Sequence, residues 1–282
     1  MPNKVLIAGC GDVGNALATR LLADDCEVWG ARRRLEGLAT GIRPWPIDLT
    51  DKNSFGAPPV AFDYLFYTAS ADRRDEEHYR AVYVDGLHDL LATLRGSGCK
   101  LQRIFFTSST AVYAQNEGQW VDEGSATEPS QFNGRVLLEA EAIVEEAPET
   151  GINVRLSGIY GPGRTRLLRK VWDGEAIASG SWTNRIHVED CAGVLHHLMR
   201  LENPESLYLG SDDEPVTLEE VATWLSAELG VAAPFAAGAR PSNKRCRNTR
   251  LRQTGYRFTY PSFREGYQPI VREFLRQTHE PR

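Results

Sequence analysis

The chain has 282 residues, of which 41% are apolar and 25% charged, with a formal net charge of −6. That composition belongs to a folded globular protein with a core of useful size, and its acidic balance argues against a nucleic-acid partner, which needs a basic face. No apolar run approaches the ~18 residues of a membrane span. The N-terminal run VLIA leads to glycines rather than to a signal-peptide cleavage site. Cys10, Cys26, Cys99, Cys191 and Cys246 are scattered without a C-x-x-C pair, which fits a reducing, cytoplasmic setting and gives no disulfide framework and no metal site.

In chain order, KVLIA (4–8) reads as a strand. DVGNALATRLLAD follows as a helix with Val13, Leu17 and Leu21 on one face. EVWGA (27–31) is a second strand, and DYLFYTAS (63–70) has the continuous apolar character of a strand buried on both faces. Residues 76–96 read as one helix, with Tyr79, Tyr83, Leu87, Leu90 and Leu94 along its stripe. RIFFTSS (103–109), NVRLSGIYG (153–161) and SLYLG (206–210) are further strands, and GRVLLEAEAIVEEA (134–147) is a further helix. A helix over 217–229 begins at a capping box, Thr217 with Glu220. Beyond it, PFAAGARPSNKRCRNTRLRQTGYRFTYPSF shows little periodicity.

Strands alternating with helices predict an α/β fold with a doubly wound parallel sheet. The expected division is a nucleotide-binding domain over 1–161 and 183–210. A smaller C-terminal substrate-binding lobe would take 162–182 and 211–282.

The chemistry begins at Gly9, Gly11 and Gly14, a G-x-G-x-x-G run placed between a strand and a helix. Gly9 permits the tight turn, Gly11 lets backbone approach a pyrophosphate, and Gly14 lets helix and strand pack closely. The amides around Asp12 and Val13 would then face phosphate oxygens, helped by the helix dipole. This is the signature of a Rossmann-type dinucleotide site. At the end of the second strand an acid would hold a ribose 2′-hydroxyl, whereas an arginine suits a 2′-phosphate. The sequence has Arg32, followed by Arg33 and Arg34, so NADP is expected over NAD.

Taken together, the motifs resemble the extended short-chain dehydrogenase/reductase superfamily, in its NAD-dependent epimerase/dehydratase group. PIDLTD (46–51) is similar to the motif after the third strand, which implies that Asp48 and Leu49 flank the adenine. FYTAS (66–70) is similar to the fourth strand end, which implies that Thr68 and Ala69 lie along the cofactor. FFTSSTAVYAQ resembles SSxxVYG, VRLSGIYGPGR resembles LRxxxVYGPG, and NRIHVEDCAGVL resembles xxxHVDDVAxAx. YLGSDDEPVTLEEVATWL is similar to the family's late strand and helix. The resemblance also implies dimerisation through helices that here would cover about 75–95 and 134–147. The second of these carries Glu139, Glu141, Glu145 and Glu146, so a monomer and a homodimer both remain open.

The departure lies in catalysis. The resemblance implies a Tyr-x-x-x-Lys pair heading the helix after the fifth strand. Aligned on it, Phe132 and Val136 take those places, and a shift of one residue gives Gln131 and Arg135. Phenylalanine has no proton to exchange, and valine cannot lower a neighbour's pKa by charge. The chain therefore reads as an atypical member.

Substitutes are few. Ser109 could orient a substrate oxygen or bond backbone at its strand end. Tyr113 could serve as the acid or pack structurally. His187 could act chemically or organise the lobe. Cys10 could be a redox-sensitive thiol or a small residue in the turn. Lys244, Arg245, Arg247, Arg250 and Arg252 could grip a phosphate or form a solvated linker.

Two functions follow. One is an NADP-dependent oxidoreductase or epimerase/dehydratase-like enzyme with a modified centre, acting on a small hydroxylated molecule, possibly nucleotide- or phosphate-linked. The other is a non-catalytic NADP(H)-binding sensor or interaction protein.

Overall fold

The computed structural model describes residues 1–178, 180–233, 235–236 and 242–279. The chain divides into two compact units. Unit 1 comprises Met1–Ala114, Ala126–Leu156 and Cys191–Tyr208; unit 2 comprises Gln115–Ser125, Ser157–Asp190 and Leu209–Arg282.

A seven-stranded sheet organises unit 1. Its strands are β1 (Lys4–Ala8), β2 (Glu27–Ala31), β3 (Arg43–Trp45), β4 (Tyr64–Tyr67), β5 (Arg103–Ser109), β6 (Thr150–Leu156) and β7 (Leu207–Gly210). Their spatial order is β7-β6-β5-β4-β1-β2-β3. The pairs β1–β2, β2–β3, β1–β4, β4–β5 and β5–β6 are parallel. The chain leaves β1 in one direction to reach β2 and β3, then returns to β4 on its other side. Right-handed crossovers place those two sets of connections on opposite faces and open a crevice beyond the carboxyl ends of β1 and β4. β4 is buried along its whole length, as its uninterrupted apolar run predicts.

The helices of unit 1 are α1 (Asp12–Ala23), α2 (Glu76–Arg80), α3 (Gly86–Gly96) and α4 (Phe132–Glu145). The expected single helix over 76–96 is interrupted by a π-turn at Ala81–Asp85. The wider turn lets the Val82 carbonyl accept from the Tyr67 hydroxyl at 2.5 Å. Gly86 then passes so near the chain after β3 that a Cβ would stand 2.4 Å from the Leu49 carbonyl oxygen.

The acidic face expected on α4 also differs. Glu139 pairs outward with Arg80, but Glu141 turns inward and is 5% exposed. Its carboxylate accepts from Ser108 Oγ at 2.5 Å and from three Arg155 contacts at 2.6–3.2 Å. Arg155 in turn donates to the Tyr113 hydroxyl at 3.0 Å. Burial works against the Arg155 charge, but the Glu141 carboxylate outweighs it and raises the guanidinium pKa further.

Unit 2 holds helices Leu218–Leu229 and Phe263–His279. The capping box at Thr217 and Glu220 is formed as its sequence predicts, and the helix stops at Gly230 in the left-handed conformation. The run 153–161 is two strands rather than one. β6 ends at Leu156, and Gly158–Tyr160 pairs instead with Arg185–His187. The basic segment is likewise no linker. Asn243–Cys246 is a strand paired in parallel with Glu117–Val121, with Lys244 and Cys246 inward and Arg245 turned outward. Among the described residues, no helix is long and apolar enough to cross a membrane, and no cluster of His, Cys, Asp or Glu could hold a metal.

Candidate functional site

The three glycines stand at the carboxyl end of β1, and each has a separate physical reason. Gly9 has φ +80°, and a Cβ on it would lie 2.3 Å from the Ala69 Cα. Only glycine fits that conformation at that distance. Gly14 is packed tightly, a Cβ there meeting Ile7 at 3.0 Å and Thr68 at 3.3 Å, so α1 seats directly on β1 and β4. Gly11 is different. Nothing lies nearer than 3.9 Å to a Cβ built on it, and it heads α1 with no side-chain cap. An uncapped helix N-terminus beside open space has the geometry and polarity to receive an anion.

The rim of this turn is tied down from several sides. Thr68 Oγ1 donates to the Gly9 carbonyl at 3.1 Å, joining the end of β4 to the turn. Asn15, on α1, donates to the Gly37 carbonyl and accepts from the Ala39 amide. It thereby fixes the loop that follows the arginines. Arg32 leaves β2 and lays its guanidinium back on the turn, Nη1 donating to the Cys10 carbonyl at 3.0 Å. Arg33 pairs with Asp72 at 2.7 Å and lies 4.0 Å from Asp48; its hydrogen bond holds the Asp72 carboxyl below the usual range. Asp48 accepts from the Thr50 amide and hydroxyl, while Leu49 turns its carbonyl toward Gly86. Asp12 is exposed in the first turn of α1, and Val13 is buried beneath it. Cys10 is fully buried, and burial pushes its thiol up to about 11 despite Arg32. That thiol stays protonated at neutral pH, so it fills space in the turn rather than serving as a reactive thiolate.

The expected chemical residues are placed less openly. Ser109 is half-buried, and its hydroxyl accepts from the Ala111 amide at the end of β5. Tyr113 is 3% exposed and stacks under Arg155, 5.1 Å from guanidinium carbon to ring centre. Its hydroxyl is engaged in the buried Glu141–Arg155 network. Phe132 is the first residue of α4 and half-buried, its ring 5.4 Å from that of Tyr79. Val136 is completely buried. In this register no charge stands at either place where the proton relay would be expected; in the register shifted by one, Arg135 takes the second and donates to the Ser130 carbonyl at 2.7 Å.

In unit 2, His187 is packed edge-on against Tyr160 and 4.0 Å from the Tyr260 ring centre. Its Nδ1 accepts from the Glu189 amide, and burial lowers its pKa to about 4. Asp190 accepts from the Tyr256 hydroxyl and from the Thr259 and Tyr260 amides at 2.8–2.9 Å. Both residues thus build unit 2 internally. The basic segment is similarly engaged. Arg245 lies between Trp120 and Trp182 at 4.8 and 4.7 Å, Arg252 pairs with Asp213, and Lys244 is buried.

Asn15, Asp72 and Arg155 are absent from the residues singled out by sequence, and Tyr79 and Glu141 enter there only as members of a helical stripe and an acidic face. For Glu141 a signal exists. It stands four residues after Leu137 and three before Val144 on the buried stripe of α4, where an acid needs a partner.

Comparison with known proteins agrees with this geometry. Residues 5–210 match the model of the NAD dependent epimerase/dehydratase family. Protein YeeZ of Escherichia coli (strain K12) is 29% identical over 218 residues, covering 73% of this chain and 76% of that protein. A structure from Methylobacillus flagellatus, described as a candidate NAD-dependent epimerase/dehydratase, is 35% identical. It covers 98% of this chain and 100% of its own, with a TM-score of 0.83. The fold is also that of the Thermus thermophilus UDP-glucose 4-epimerase solved with NAD. That protein is 20% identical over 96% of this chain and 99% of its own, with a TM-score of 0.80. The crossover at β1 and β4, the three glycines in their separate roles and the span of the match together make this chain a member of the NAD-dependent epimerase/dehydratase family.

Proposed function

We propose that the protein binds NADP in preference to NAD. On this reading it catalyses oxidoreduction or an epimerase/dehydratase-like reaction on a small hydroxylated molecule, either free or linked to a phosphate or nucleotide. The glycine turn and the first amides of α1 would take the pyrophosphate. Thr68 and Ala69 would lie along the cofactor, Asp48 and Leu49 beside the adenine, and Arg32 and Arg33 at the ribose phosphate. When bound, the coenzyme supplies or accepts a hydride. The chain's own task is to position it, exclude water and move a proton at the substrate oxygen. Ser109, at the end of β5, would orient that oxygen.

The observation that carries the reading is Arg32. Its guanidinium stands just past the end of β2, held 3.0 Å from the Cys10 carbonyl. A fixed planar cation there suits a dianionic phosphate far better than a neutral ribose hydroxyl. The test is calorimetric titration with NADPH and NADH. Arg32→Asp should weaken NADPH roughly 10- to 100-fold and favour NADH. If both affinities stay as they were, the phosphate assignment is wrong.

Phe132 and the buried Val136 favour a second reading, a coenzyme-binding sensor without turnover. NADPH binding with no oxidation by aldehydes, ketones or nucleotide sugars would favour the sensor over the enzyme.

A further inference from the structure

We propose that Tyr79 is the general acid and base of this protein, an inference that rests on the coenzyme-dependent reading above. Interconverting an alcohol and a carbonyl needs a proton at the oxygen while hydride moves at the carbon. Phe132 has none to give. The other candidates around the ends of β4 and β5 are already committed. Tyr67 donates to the Val82 carbonyl and is fully buried. Tyr83 is 8% exposed and accepts from the Ala71 amide. Tyr113 is held by Arg155. His78 lies between Asp72 and Arg73, one ring nitrogen on each. Ser108 is bound to Glu141. Tyr79 alone of these is half-buried with a hydroxyl that has no hydrogen-bond partner among the described residues.

Its position supports the role. The Tyr79 ring lies 5.4 Å from Phe132, edge to face, and 5.3 Å from Tyr83. On one side, Tyr83 reaches the Ala71 amide just after β4. On the other, Phe132 lies two residues before Gly134, where a Cβ would stand 2.6 Å from the Ala111 carbonyl oxygen. The Ala111 amide is in turn held by Ser109. Tyr79 thus packs between Tyr83, which reaches the end of β4, and Phe132 at the head of α4, and the first turn of α4 lies close to the backbone that follows Ser109. The π-turn at Ala81–Asp85 begins two residues after Tyr79, and such turns are frequent at functional sites. The phenol absent from α4 is thus offered from the neighbouring helix, against the ring that occupies its expected place.

The step balances as follows. In reduction, the carbonyl carbon gains a hydride from the reduced nicotinamide coenzyme, and the carbonyl oxygen takes the proton from Tyr79 Oη. Water then reprotonates the phenolate. Oxidation is the reverse, with the phenolate accepting the alcohol proton.

The test is Tyr79→Phe, which keeps the ring contacts with Phe132 and Tyr83. In NADPH-dependent reduction of a carbonyl panel, kcat should fall by roughly 10²- to 10⁴-fold, with KM and NADPH affinity unchanged. Adding Phe132→Tyr to that variant should restore part of the rate. Independently of turnover, saturating NADPH should protect Tyr79 from nitration by tetranitromethane, read by peptide mass mapping. A Tyr79→Phe rate within about tenfold of wild type, or nitration of Tyr79 unaffected by NADPH, overturns the assignment. NADPH bound without turnover of any carbonyl overturns it together with the enzyme reading. Absence of NADPH binding by the wild-type protein overturns the coenzyme reading itself.

Discussion

The glycine turn and the head of α4 belong to the same unit, yet they differ in what they ask of the sequence. At the turn, recognition is done by backbone, and the essential side chains are missing ones: Gly9 and Gly14 must be small, and Gly11 leaves space. At the head of α4, chemistry needs particular side chains, and Phe132 and Val136 supply neither a proton nor a charge. Geometry for binding and groups for reaction are thus separable within one fold, and the first can be complete while the second is altered.

The largest test of that separation lies behind α4. Glu141→Ala would leave the Arg155 charge buried without its partner and should cost about 3–5 kcal/mol of stability, read as a lowered urea midpoint. Replacing both residues by Met should recover most of the loss. If folded Glu141→Ala protein also lost coenzyme affinity, the two regions would not be independent.

The turn itself can be divided next. Gly9→Ala meets both the Ala69 backbone and a positive φ and should cost about 3 kcal/mol. Gly11→Ala meets open space and should cost under about 1 kcal/mol. If Gly11 faces the pyrophosphate, coenzyme affinity should nevertheless fall at least about tenfold in that variant. Equal stability losses in the two variants would erase the distinction between a glycine needed for folding and one needed for binding.

A smaller effect carries the comparison into unit 2, where His187 has a reactive side chain but is packed as a neutral ring. Its pKa is lowered from 6.5 to about 4, so the unfolded chain binds the proton more tightly than the folded one. Its stabilising effect is full above pH 6.5 and is lost as pH falls toward 4, about 2 kcal/mol by pH 5. His187→Phe should flatten that limb of a stability–pH profile. An unchanged profile would mean that the imidazole is not held neutral.

Much of the fold is legible in the sequence because its signals are local. The apolar run of β4, the glycine spacing and the Thr217–Glu220 cap each specify their own element. What was not legible depends on partners distant in the chain. The break after Leu156 follows from Gly158–Tyr160 pairing with Arg185–His187, which no local pattern announces. The π-turn goes with a hydrogen bond from Tyr67, on another element, to the Val82 carbonyl. The position of Glu141 on the buried stripe of α4 is visible in the sequence, but its partner Arg155, on another element, is not. At the candidate site, the glycines and Arg32 announce themselves by spacing. Tyr79 looks like one more ring in a helical stripe until its free hydroxyl and its contact with Phe132 are seen.

All five thiols are buried, with Cys10, Cys26, Cys99 and Cys191 in unit 1 and Cys246 in unit 2. Each unit therefore carries a well-concealed sulfhydryl, Cys10 in one and Cys246 in the other, whose alkylation reports opening around it. The order in which the halves come apart can be followed by mass spectrometry without adding a label or altering a residue.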